Sequence, residues 1–200
     1  MDRRKALKNI GIGFGAITVT PTVVSLMQSC QTNPSGWMPA QFSKDQFQVV
    51  SQLMDLIIPT TDIPGAIDLQ LPQFLDGYVG LIMNDKAQQK LKSSLDQLIA
   101  VALKDTGKSA TSELNREDLD AQLAKYLRAD ESTIQAWKND ADSPEAVAQG
   151  FADQLRSLTI NAFKTNEYIG ENVLAYVPIP GQQKGCVDLM EATGGKAYSL

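Results

Sequence analysis

No histidine occurs anywhere in the 200 residues. That absence removes the commonest general base, the commonest zinc ligand and every His-dependent catalytic triad. Cysteine is almost as scarce: Cys30 and Cys186 are too few and too far apart for a haem-attachment or iron–sulfur motif. No Ser, Lys or Tyr stands in a recognisable nucleophile motif. Positive charge is thin beyond the N-terminus. Arg3, Arg4, Lys5 and Lys8 against Asp2 give the first 30 residues +3, so the other 170 carry −8 of the overall −5. A body that acidic is a poor binder of phosphate backbones, which argues against a nucleic-acid partner. What is present is apolar: 43% hydrophobic and 20% charged is enough for a buried core, and the length favours one domain of ordinary size.

Residues 1–30 read as an address rather than as fold. A basic start, Asp2 to Lys8, is followed by no charge at all from Asn9 to Ser43 and by a modestly apolar run, Ile10–Met27. The stretch resembles a twin-arginine export signal: Arg3 and Arg4, then Leu7 and Lys8, fall at that motif's offsets, with Ala6 where Phe is usual. A retained membrane-spanning helix is the alternative. At about 18 residues, with Gly11, Gly13, Gly15 and Pro21 inside it, the run is barely long or apolar enough. Gly11-Ile-Gly-Phe-Gly15 mimics a nucleotide loop but lies within this segment and follows no strand. Cys30, after small Ser29, looks like a lipoprotein processing site with Cys30 as the lipidated residue; an incidental cysteine in a signal cleaved elsewhere is the competing reading. Residues 31–42, rich in Pro, Gly and polar side chains, read as a flexible tether.

The body, 43–167, reads as all-α, a small domain of about five helices. Ser43 with Gln46 forms a capping box, and Phe47, Val50, Leu53, Met54 and Ile57 then repeat at helical spacing up to Pro59. A short helix from about Pro72 to Met83 presents Phe74, Leu75, Tyr78, Leu81 and Ile82. Asp85 to Asp105 carries the stripe Leu91, Leu95, Leu98 and Ala102, with Gly107 placed to end it. Asn115 with Asp118 opens a helix bearing Leu119, Leu123, Tyr126 and Leu127, and Thr133–Lys138 reads as a single turn around Trp137. Ser143-Pro144-Glu145 starts what reads as the longest helix, with Val147, Phe151, Leu155, Leu158 and Ala162 on one face to about Thr165. No alternation at strand period is apparent.

Beyond Asn166 the chain turns rich in Gly, Pro and Tyr and reads as an extended irregular arm, 168–200. Val173, Leu174, Tyr176, Val177 and Ile179 are too apolar for a merely solvated tail, so the expectation is an arm that orders on a partner, with Tyr176, Pro178, Pro180, Gly181 and Cys186 in contact. Cys186 has two readings: a small residue packing the arm, or, as an odd thiol in an oxidising compartment, a disulfide to another chain. Asp55, Asp62 and Asp68 flank the Pro59–Gly65 turn, but their spacing fits no calcium loop and Asp beside Thr and Pro is ordinary turn chemistry.

Two segments carry a family resemblance. Leu53-Met-Asp-Leu-Ile-Ile-Pro-Thr-Thr-Asp-Ile-Pro-Gly-Ala66 with Leu71-Pro-Gln-Phe-Leu75 is one; Tyr176-Val-Pro-Ile-Pro-Gly181 with Gly185-Cys-Val-Asp-Leu189 is the other. With the twin-arginine start, they resemble the gluconate 2-dehydrogenase subunit 3 family. The resemblance implies an accessory, non-catalytic subunit that pairs with a large flavin-dependent oxidoreductase of sugars, sugar acids or polyols. FAD is then expected in that partner, and haem c in a cytochrome subunit that takes the electrons. It further implies export to the periplasmic side, with membrane attachment through the signal or a lipid. The other classes are a stand-alone envelope lipoprotein that binds a ligand or envelope component, and an enzyme in its own right, which the missing chemistry disfavours.

Overall fold

The computed structural model describes residues 37–177, 181 and 185–199. The chain divides into two units, Met1–Met38 and Pro39–Leu200. Of the first only Trp37 and Met38 are described, both with exposed side chains. The second is all-α. Its helices are α1 (Lys44–Ile57), α2 (Leu71–Leu81), α3 (Asp85–Thr106), α4 (Arg116–Leu127), α5 (Glu131–Lys138), α6 (Pro144–Lys164) and α7 (Leu189–Thr193), with a 3₁₀ turn at Thr111–Glu113 and a π turn at Ile169–Val173. Among the described residues no helix is long and apolar enough to cross a membrane.

Local chemistry sets most of these boundaries. Reciprocal capping boxes open α1 (Ser43 with Gln46) and α4 (Asn115 with Asp118), and Ser143 with Pro144 opens α6. Gly107 ends α3 at φ 68°, a left-handed conformation that costs a side chain strain. α3, at 22 residues, outruns α6 by one. Around Trp137 there is a full helix rather than one turn, because Asp130 caps it through Thr133 N–H. Its lack of buried residues left no stripe to read.

α6 is the axis of the domain, packing on α3 most extensively and also on α4, α2, α1 and α5. Its buried face runs through Ala148, Phe151, Ala152, Leu155, Thr159 and Ala162, and Leu91, Leu95, Leu98 and Ala102 of α3 are buried with it. The small Ala residues let the helix backbones approach, while each buried Leu or Phe contributes about 1.5–3 kcal/mol. Tyr126 of α4 is buried edge-on to Trp137, ring centroids 5.5 Å apart.

Hydrogen bonds from Lys125 to Asp105, from Lys108 and then Asn115 N–H to Asp118, and from the Ser132 hydroxyl and then Thr133 N–H to Asp130 hold these carboxyls below their ordinary values. Backbone N–H groups of Ser109 and Ala110 do the same for Glu113. Depressed folded-state values mean that the unfolded chain binds more protons in acid. The associated stability is therefore complete above the ordinary carboxyl range and is lost as pH falls through it. The Tm, followed by circular dichroism, is expected to hold from neutrality to about pH 5 and to fall from about pH 4 downward. A Tm that rises on acidification would contradict this.

Candidate functional site

The segment after α1 is built by its own polar groups. Ala66 N–H donates to Ile58 carbonyl (2.8 Å) and closes the loop that Pro59 begins. Asp68 crosses that loop, accepting from Thr60 Oγ1 (2.5 Å) and Gly65 N–H (2.9 Å), bonds that hold its carboxyl below the ordinary value. Gly65 is required by space: a Cβ there would lie 2.4 Å from Thr60 N and 2.7 Å from Pro59 carbonyl carbon. Gln70, at φ 54°, swings the chain into α2. Asp55 pairs instead with Arg116 of α4, so Asp55, Asp62 and Asp68 make no cluster. Among the described residues no group of His, Cys, Asp and Glu stands where it could hold a metal.

Asp76, in the middle of α2, carries a role that sequence reasoning missed. It is 1% exposed and accepts three backbone N–H groups, Ala40 (2.9 Å) on Oδ2, Gln41 (3.0 Å) and Phe42 (3.1 Å) on Oδ1. Phe42 is buried in the core, and a Cβ on Gly80 would strike the Gln41 side chain at 2.6 Å. The packed body thus begins by Ala40, earlier than the tether ending at residue 42 that composition implies. The same fastening turns α2. Its buried residues are Leu71, Pro72, Leu75, Asp76 and Val79, whereas Phe74, Leu81 and Ile82, expected in the core stripe, are 54%, 86% and 67% exposed. Exposed Phe74 stacks on Tyr78, which is half-buried against the core, with centroids 6.3 Å apart.

Between this loop and the end of α6 run two grooves, of about 520 and 470 Å³, sharing Leu69, Gln70, Asn166 and Glu167. Asp68, Tyr168 and Glu171 border the first, and Phe74 of the α2 face borders the second. No Lys or Arg lines either.

The arm is pinned at both ends. Ile169 is fully buried in the π turn, and Ala175 pairs with the segment at Tyr198 through Ala175 N–H to Ala197 carbonyl (2.8 Å) and Ser199 N–H to Ala175 carbonyl (3.0 Å). The described residues between these ties, those of α7 included, are nearly all exposed. Tyr176, Val177, Val187, Leu189, Met190 and Tyr198 show large apolar surfaces. Gly181 sits at φ 62°. Cys186 is exposed and free at φ 46°, not a buried packing residue within this chain. Pro178 and Pro180, like Arg3, Arg4, Leu7, Lys8 and Cys30, lie outside the described residues.

The result is an all-α domain with a folded-over loop, an outward apolar face on α2 and an exposed arm. Residues 44–181 match the family model described as gluconate 2-dehydrogenase subunit 3, and the chain belongs to that family. No curated protein and no solved structure matches it.

Proposed function

We propose that the chain is the non-catalytic accessory subunit of an exported flavin-dependent dehydrogenase of sugars, sugar acids or polyols, and that it supports export, assembly and stability of the large subunit. FAD belongs to that large subunit in this reading, and haem c to a cytochrome subunit that accepts the electrons. The observation that supports it best is membership in a dehydrogenase subunit family by a domain that exposes apolar side chains on α2 (Phe74, Leu81 and Ile82) and along the arm (Tyr176, Val177, Val187 and Leu189). Affinity purification of the full chain from native envelopes tests it. A flavin-containing oxidoreductase chain should co-purify in fixed ratio, and a preparation with no flavin overturns the reading.

Export by the twin-arginine route follows from Arg3 and Arg4. Replacing both with Lys is expected to strand this chain and the large subunit together in the cytoplasm, read by fractionation and blotting. Unchanged envelope levels of both would sink the route. Two further proposals concern the cysteines: Cys30 as lipid-bearing N-terminus, attached by more than one acyl chain because one alone holds a membrane only marginally, and Cys186 as a disulfide to the large subunit. Intact mass before and after reduction reads both. A mature chain starting elsewhere than Cys30 removes the lipid, and an unchanged mass on reduction removes the bridge.

A further inference from the structure

α2 offers its partnerless side to solvent in an unusual way. A stripe at helical spacing, Phe74, Tyr78 and Leu81 with Ile82 beyond, ordinarily marks the buried face of an amphipathic helix. Here the buried face is the other one, fixed by Asp76: Phe74, Leu81 and Ile82 lie outside, with half-buried Tyr78 at the edge of the core. Phe74 carries this face into the paired grooves, which end on Asp68, Glu167, Tyr168 and Glu171. The charge there has one sign. Residues 57–85 and 165–183, which supply the face and most of the groove walls, contain Asp62, Asp68, Asp76, Asp85, Glu167 and Glu171 and no Lys or Arg. Among the described residues Asp68, Glu167 and Glu171 have no cationic partner, whereas the four ion pairs of the domain all lie elsewhere.

We propose that the outward face of α2, together with the acidic grooves it runs into, is the surface on which the dehydrogenase's large subunit docks, and that the subunit meets it with apolar side chains bordered by Lys and Arg. This rests on the accessory-subunit reading above and adds the place and the chemistry of the contact. Charge complementarity selects this occupant. A second copy of the chain docked by the same patch would set Asp68, Glu167 and Glu171 against their own counterparts. An anionic lipid surface would be repelled by the same carboxylates.

Full-length tagged chain, co-expressed with the large subunit and purified as the complex, provides the test. Leu81→Lys and Ile82→Ser change side chains that solvent already surrounds, so wild-type Tm is expected for both. Leu81→Lys is expected to lower co-purified flavin by tenfold or more, as loss of a central apolar anchor does. Glu167→Lys with Glu171→Lys should weaken the complex and flatten its dependence on salt. Carbodiimide treatment, which joins touching carboxylates and amines, should couple Glu167 or Glu171 to lysines of the large subunit. If the wild-type chain holds flavin and all these variants hold it equally, the docking surface is wrong and the accessory-subunit reading stands. Coupling of Glu167 or Glu171 to a second copy of this chain would likewise overturn the surface. If the wild-type chain brings down no flavoprotein, the accessory reading fails and takes this proposal with it.

Discussion

Asp76→Ala is expected to cost about 3–5 kcal/mol and to lower the Tm by on the order of 10 °C, the largest loss from any single polar side chain of the domain. Three backbone N–H groups lose their acceptor at once, and the Phe42 N–H lies inside the buried region. A hydrogen bond to a charged group contributes about 1.5–3 kcal/mol, and an orphaned buried donor costs about 1–3, the effects overlapping rather than adding. Asp76→Asn preserves shape and one acceptor oxygen but turns an amide N–H₂ toward a donor. It should cost roughly half as much. Urea denaturation followed at the helical circular-dichroism band measures both. An Asp76→Ala chain within about 1 kcal/mol of wild type would refute the fastening of residues 40–42 to α2.

Gly65→Ala is expected to cost about 2–3 kcal/mol, as crowding in a well-packed place does. The reason is purely steric. Gly65 is not among the glycines with positive φ, so Ala could adopt its backbone conformation, but the new methyl would press on main-chain atoms of Pro59 and Thr60 that cannot rotate away. Opening the loop would also pull Gly65 N–H from Asp68 and displace one wall of the first groove. Thr60→Ala makes the comparison, since it removes the hydroxyl bond to Asp68 and adds nothing; it should cost about 1 kcal/mol. Equal Tm values for Gly65→Ala and wild type would mean that the loop yields easily.

Features written within four residues of one another were legible in the sequence. Ser43 with Gln46, Asn115 with Asp118, Ser143 before Pro144 and Gly107 after α3 each specify a helix end through a local hydrogen bond or a backbone conformation. The uniform stripe of α3 was equally plain. α2 was misread because its orientation is set from outside: Asp76 reaches residues 34 to 36 positions earlier, and nothing local announces that. The visible clue was one carboxylate in a run otherwise free of charge from Leu69 to Asn84. α6 misled in a milder way. Ala148 and Ala152 are buried while the larger Val147 and Leu158 are half-buried, because close helix packing selects small residues that a search for bulky stripes passes over. The apolar part of the candidate surface inherits the first error, since Phe74, Leu81 and Ile82 read as core.

The bridge at Ala175 has an entropic consequence. Fastening its two segments closes the stretch between them into a loop, and closing a loop of roughly twenty residues carries its entropy cost whether or not a partner is present. Were the arm to dock on another chain, less disorder would be left to remove, and Tyr176, Val177, Val187 and Tyr198 would meet it from a loop already closed. Binding by such a loop should be faster and less temperature-sensitive than by a tail that must first be ordered. Removing residues 197–199 would take away both bridging hydrogen bonds and restore that cost without touching Tyr176 and Val177.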